Sequence, residues 1–229
     1  MARRAESRGS LARTHEAQPG LPRGRNSLPP ELVGTAQRHR LLRAVIAAAA
    51  ELGYPEITIA EIVGRARVSR KAFYDHFPDK ESCFVAAMAA GVELVFLRVG
   101  QAVDALPRET DAVQRLRVSL RAYLQFFADE PEFARVFVID SPAAGPRAAE
   151  RFVAARERFL AIIRSWHARL RRERPEFPAV PEEVFVALAG ALHELVATEV
   201  RQGRTVELPR LEETTVRLHL ALLANWPAD

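Results

Sequence analysis

From residue 35 onward the apolar residues of this chain recur three and four positions apart, in runs broken by Gly, Pro and short polar segments, and this spacing predicts helices throughout. The first covers about Thr35 to Leu52, with Leu42, Val45, Ala49 and Leu52 inward, and stops at Gly53, a residue suited to the left-handed helix cap. After the Tyr54-Pro55 turn, Thr58-Ile-Ala-Glu61 reads as a capping box. Ile59, Ile62, Val63 and Ala66 then make one apolar face. A second short helix follows from Ser69 to Phe77. It turns Ala72 and Phe73 to one side and Arg70, Lys71 and Tyr74 to the other, and two cations and a phenol on so small a helix suit contact with phosphate. Pro78 stops it, and Asp79 caps a long helix to about residue 103, carrying Phe84, Met88, Gly91 or Val92, Val95 and Val99.

The second half continues in the same period. Val113, Leu116, Leu120, Tyr123 or Leu124 and Phe127 mark a helix from about Glu109 to Ala128; Phe133, Val136 and Phe137 mark a short one after Glu130-Pro131. The stretch from Asp140 to Pro146 is a loop. A long helix to about Arg174 turns Phe152, Phe159, Ile162, Ile163, Trp166 and Leu170 inward and ends among cations that favour a helix C-terminus. The last two helices, residues 181–202 and 209–225, differ in being apolar on more than one side. The first has a stripe of Phe185, Leu188, Leu192 and Leu195 and another of Val186, Ala189, Gly190, His193, Ala197 and Val200. Leu211, Thr215, Leu218 and Leu222 of the second are flanked by Val216, Leu220 and Leu223. A helix with two apolar faces must bury both, either inside one chain or against a second copy. The fold class is therefore all-α, with about nine helices.

Composition changes this picture in one respect. Net charge is +4 over 229 residues, yet residues 1–80 hold 14 Arg or Lys against 8 Asp or Glu, so the excess lies at the end with the paired short helices. The two lysines of the chain, Lys71 and Lys80, both fall there. One cysteine, Cys83, excludes an internal disulfide framework and fits a reducing compartment; it is read as a buried inert thiol. No run approaches 18 consecutive apolar residues, so no membrane span is expected. Residues 1–34 are read as a disordered basic arm. Within it Arg23-Gly24-Arg25 is open between following a DNA minor groove and trailing in solvent.

Several fixed points now match at once: Leu52-Gly53-Tyr54, Thr58 to Ile62, Val68-Ser69, Phe73-Tyr74-Asp-His76-Phe77 and Asp79-Lys80-Glu81. With these spacings the stretch from about Arg38 to Ala90 resembles the DNA-binding domain of the tetracycline-repressor-like (TetR) family of bacterial transcription regulators. The resemblance implies a helix-turn-helix DNA-binding domain over residues 35–80 and a larger helical effector-binding and dimerisation domain over 81–229. It also implies a cytoplasmic, nucleoid-associated homodimer paired through residues 181–202 and 209–225, on a palindromic operator in double-stranded DNA. By position Thr58, Tyr74 and Lys80 resemble the family's phosphate contacts, and Ser69, Arg70 and Lys71 its base readers. His76 is open between packing under Phe73 and donating to phosphate, while Phe73 and Phe77 read as core. Arg67 departs from the pattern, standing where Gly is usual and where the turn needs positive φ, which costs a non-Gly residue roughly 1 kcal/mol.

A regulator of this kind, read as a repressor rather than an activator, implies a small apolar effector whose binding releases it from its operator. Tyr123, Phe126, Phe127, Phe137, Phe159 and Trp166, with His167 and His193 as polar groups, are the candidate lining, each also a candidate for plain core. Catalytic patterns do not form. His193-Glu194 begins like a zinc-protease H-E-x-x-H, but Ala197 stands where the second His belongs, and the six His residues lack metal-ligand spacing. The sequence thus calls for no cofactor, metal or catalytic group. Two other classes remain for comparison: a helical interaction protein with a vestigial helix-turn-helix, and a small-molecule-binding enzyme.

Overall fold

The computed structural model describes residues 10–14, 29–141 and 144–226. Among them the chain is helical without a strand, with nine α-helices joined by short turns. It falls into two compact units, Met1–Gly91 with Glu130–Arg151, and Val92–Asp129 with Phe152–Asp229. The readings of Arg23-Gly24-Arg25 and of most of the arm lie outside the described residues.

In the first unit α1 spans Pro30–Leu52, α2 Ile59–Ala66 and α3 Arg70–His76. Helix α1 starts five residues before the expected Thr35, because Pro30 occupies its first turn, where the missing N–H costs nothing. Its buried face is Leu41, Ala44, Val45, Ala48 and Ala49, and the expected inward Leu52 is 43% exposed. The error lies in weighting size: a row of alanines lets α2 approach closely, and the bulky Leu52 falls on the last turn beyond it. Three successive side chains cap the next helix starts. Thr58 accepts from the Glu61 N–H at 3.2 Å, Ser69 from Ala72 at 3.0 Å and Asp79 from Ser82 at 2.6 Å. Each satisfies an N–H that has no intrahelical acceptor. The Glu61 carboxylate is taken by Arg65, which also reaches Glu51 at 2.9 Å and so ties α2 to the end of α1.

Helix α4 runs Lys80–Asp104 and buries Phe84, Ala87, Met88, Gly91 and Val95. It is long and apolar enough to pass for a membrane span by length and composition, although its apolar run is interrupted. A short α6, Pro131–Arg135, continues into a π-helical turn over Val136–Asp140. Phe133 of α6 lies where a Cβ on Gly91 would be, 2.0 Å from its Cε2, so a glycine lets the ring seat on α4. The turn Ser10–Ala12 is held on the same unit by buried Glu130, which accepts from Ser10 Oγ at 2.5 Å and Leu11 N at 2.8 Å.

The second unit contains α5, Ala112–Asp129, most of α7, Pro146–Glu173, then α8, Glu182–Arg201, and α9, Glu212–Leu223. Asp111 caps α5 by accepting from Gln114 N at 2.9 Å, so this helix starts three residues later than Glu109. The predicted helix over 209–225 is divided: Thr205–Leu211 is a 3-10 helix containing Pro209, and α9 begins after it. Proline cannot donate to an α-helical ladder, and Glu199, 6% exposed, grips Arg204 and Arg210 around the bend. On α7 Ile162 is 40% exposed while Leu160 and Ile163 are buried, which corrects the expected inward Ile162. On α8 Ala189, Ala197 and Val200 of the second stripe are buried within the chain, and Val186 and Gly190 stay exposed.

Candidate nucleic-acid interface

The turn between α2 and α3 sets the angle of the short helix that follows. Arg67 takes φ 54 and ψ 45, the left-handed conformation expected of that position, and its N–H still finds Gly64 O at 3.3 Å. Ser69 then caps α3, and Phe73 and Phe77 anchor it: they are buried and their rings lie 5.9 Å apart. With those two inward, Arg70, Lys71 and Tyr74 are all exposed, Tyr74 by 50%, its ring edge-on to Phe73 at 5.5 Å. Lys71 makes one ion pair, 3.2 Å to Asp75 a turn later, with its side chain 87% exposed. Such a pair is weak in water and easily exchanged for a phosphate. Ser69, Arg70, Lys71 and Tyr74 thus share one outward face, with Thr58 exposed at the start of α2.

Lys80 and His76 sit differently. The Lys80 ammonium donates to the carbonyls of Ile57 at 2.8 Å, Tyr54 at 3.1 Å and Pro55 at 3.4 Å, and lies 4.6 Å from the centre of the Tyr54 ring. These contacts use all three of its donors, so in this structure it fastens the turn before α2. His76 is half-buried beside Phe77, with Nε2 buried and unpartnered among the described residues. Two further basic residues stand at this end. Arg38 of α1 lays its guanidinium 4.8 Å from the centre of the Phe77 ring. Arg147, at the start of α7, binds Glu81, Ser82 and Asp79 at the tip of α4, with bonds of 2.6 to 3.0 Å. Neither has a local signal, since each partner is far away in the chain. Cys83 is buried 3.9 Å from Leu41 O, and desolvation pushes its thiol up to about 12, which makes it inert at neutral pH.

The candidate lining residues of the second unit form a row along α7. Phe152, Phe159 and Trp166 recur at seven-residue intervals and each meets a ring from another helix: His193 of α8 at 5.6 Å, Tyr123 of α5 at 5.7 Å and His219 of α9 at 6.2 Å. Phe127 joins at 4.9 Å from Tyr123. His167 lies against Phe185 at 5.5 Å, with Nε2 3.0 Å from Leu223 O, and Trp166 donates to Ala112 O at 2.6 Å. Phe137 belongs to the first unit, stacked on Phe133 at 5.6 Å. Burial raises the Tyr123 hydroxyl well above its usual range and lowers His167 and His193, so the row is uncharged at neutral pH. No group of three or more metal-ligating side chains occurs among the described residues.

A capped three-helix module with a short, basic, outward third helix is the architecture of a helix-turn-helix DNA-binding domain. Comparison with known proteins agrees: residues 41–87 match the family model of bacterial regulatory proteins, tetR family. It is 30% identical over 136 residues to the HTH-type transcriptional activator FasR of Mycolicibacterium smegmatis, a match covering 59% of this chain and 61% of that one. It is 25% identical over 163 residues to the nucleoid occlusion factor SlmA of Vibrio vulnificus, covering 67% and 80%. The chain therefore spans somewhat under two thirds of the first of these relatives. In fold it is similar to the fatty acid degradation regulator FadR of Bacillus halodurans, with a TM-score of 0.73 over 85% of this chain and 97% of that one, at 15% identity. FadR of Bacillus subtilis, solved in complex with stearoyl-CoA, gives 0.71 over 80% and 97%, also at 15% identity.

Proposed function

We propose that the protein is a homodimeric, sequence-specific DNA-binding transcription regulator whose grip on a palindromic operator changes with a small apolar effector. The observation that carries this reading is the outward face of α3, where Ser69, Arg70, Lys71 and Tyr74 stand together on a helix fixed by two buried phenylalanines. Arg70 and Lys71 suit guanine O6 and N7, at roughly 1 to 3 kcal/mol of discrimination for a good contact. Tyr74 and Thr58 suit phosphate. Lys80, expected by position as a phosphate contact, and His76, open between packing and phosphate, act in this reading by fixing the turn and the end of α3.

Residues 35–80 then serve as the reading domain and 81–229 as the effector and dimer domain. Pairing through residues 181–202 and 209–225 is supported by the exposure of Val186 and Gly190 on α8 and the half-burial of Leu218 and Leu222 on α9. It would set two copies of α3 about 34–36 Å apart or a little more. The effector is read as a fatty acyl thioester. An uncharged aromatic row of Tyr123, Phe127, Phe159, Trp166, His167 and His193 suits an acyl chain, and a regulator of similar fold is known with stearoyl-CoA. A repressor released by its effector is the reading adopted here; the likeness to an activator, FasR, favours activation as the second.

The test is selection of bound duplexes from a random library, followed by competition of the selected site with stearoyl-CoA and with free CoA. A palindromic consensus weakened or strengthened by stearoyl-CoA alone is the expected result. No consensus would overturn the regulator reading, and a consensus indifferent to a panel of acyl-CoA lengths would overturn the effector class.

A further inference from the structure

We propose that the first three turns of α1 form a second, sequence-independent DNA contact, in which Arg38 binds a backbone phosphate beside the groove that α3 enters. This rests on the reading of α3 as the recognition helix and extends it to a segment ahead of the family match, which begins at residue 41.

Position is the first argument. The Arg38 guanidinium lies over Phe77, the residue that ends α3, and the Cβ position of Gly34 one turn earlier is 3.8 Å from His76 Cε1. The Gly34 and Arg38 stripe of α1 therefore runs along the C-terminal end of α3. A helix of seven residues is only about 10 Å long, whereas the major groove is about 12 Å wide and 8.5 Å deep. With the Ser69 end at base edges, the Phe77 end stands at the groove mouth, where the phosphates run. Arg38, exposed at that end, is within reach of them.

Charge is the second. Arg38, His39 and Arg43 have no carboxylate partner among the described residues, and Arg40 Nη1 is buried without any hydrogen-bond acceptor. Glu31, two turns from Arg38, is the acidic residue at this end of α1, and the nearby Asp75 of α3 is engaged by Lys71. Exposed Thr35 and His39 flank the stripe, so among the described residues of α1 no bulky neighbour screens Arg38 from an approaching duplex. The ring beneath the guanidinium holds it in place and leaves its N–H edge free, a geometry suited to a phosphate's oxygens.

A phosphate contact releases counterions, so its signature is the salt dependence of binding and not its sequence dependence. The experiment measures binding of the full chain to a random-sequence 30-base-pair duplex from 50 to 400 mM NaCl, for the wild type, Arg38→Ala, His39→Glu and, as a control in the second unit, Arg172→Ala. The expected results are a slope of log K against log salt about 0.9 shallower for Arg38→Ala, an affinity loss of roughly eightfold at 100 mM that fades with added salt, and an unchanged slope for the control. His39→Glu, which removes no packing, is expected to weaken binding in the same salt-dependent way. Unchanged slopes in both α1 variants against a steep wild-type slope would overturn this inference alone. A flat wild-type slope would instead remove the DNA-binding reading beneath it. A salt-independent loss in Arg38→Ala with a normal His39→Glu would mark the Phe77 contact as structural and also overturn it.

Discussion

The two units treat their cations differently. In the second, Arg98, Arg117, Arg121, Arg158, Arg164, Arg169, Arg201, Arg204, Arg210 and Arg217 each meet a carboxylate of the same chain. Around α3, Arg38, Arg67 and Arg70 meet none among the described residues, and Lys71 holds only the exposed Asp75. Free arginines occur in the second unit as well, at Arg108, Arg156 and Arg172, so an unpaired cation alone marks nothing. What distinguishes the first unit is that Arg38, Arg67, Arg70 and Lys71 gather on, or against, one short helix. Pairing neutralises a surface, and its absence there keeps a positive field available to an anion from outside.

The largest expected effect comes from discharging that surface. The double variant Arg70→Ala, Lys71→Ala is expected to lose about 2 to 6 kcal/mol of operator affinity, two base contacts' worth, with its melting temperature unchanged. Measured by fluorescence anisotropy, retention of both affinity and sequence preference would break the contrast between the units.

The second unit should fail first in acid. His219 is buried, with Nδ1 2.7 Å from Thr215 O, and desolvation lowers its pKa to about 4 from 6.5; His167 and His193 are lowered for the same reason. A folded histidine that resists protonation leaves the unfolded chain binding more protons below pH 6.5. Stability is then complete above that pH and falls as pH drops toward 4, by up to roughly 3 kcal/mol for His219. Chemical unfolding of His219→Gln between pH 7 and 4.5 should show a flatter dependence than the wild type; parallel curves would reject the assignment.

Packing gives a comparable effect in the first unit. Gly91→Ala drives a methyl into the Phe133 ring and should cost about 1 to 3 kcal/mol, with Phe133→Leu restoring part of it in the double variant. An additive double variant would show that the two sites do not meet. The smallest change expected is a gain: Arg67→Gly relieves a left-handed residue and should add roughly 1 kcal/mol to stability, read as a rise in melting temperature. A fall would mean that the Arg67 side chain contributes more than its backbone costs.

Local features were legible in the sequence because their physics is local. The three caps at Thr58, Ser69 and Asp79, the stop at Pro78, the left-handed turn at Arg67 and the inward Phe73 and Phe77 each depend on neighbours a few residues away. The start of α1 carries no apolar periodicity: Pro30 serves as a first-turn residue, and the periodic signal begins only at about Thr35. Its alanine face was missed because small residues carry little hydrophobic signal, although they allow the closest helix approach. Roles made by distant partners had no signature: Lys80 with the carbonyls of residues 54, 55 and 57, Arg147 with the α4 tip and Glu130 with Ser10 join residues 23 to 120 positions apart. The aromatic row was legible as a seven-residue repeat on α7, but its partners on α5, α8 and α9 were not.

The central claim is that two copies of α3 read one site together. Hydroxyl-radical footprinting of the wild type and of Arg70→Ala, Lys71→Ala on the DNA upstream of the protein's own gene tests it most directly. The account predicts two protected windows about one helical turn apart or a little more, related by a palindrome and erased in the double variant. Uniform protection along the duplex, or a footprint that survives the double variant, would contradict it.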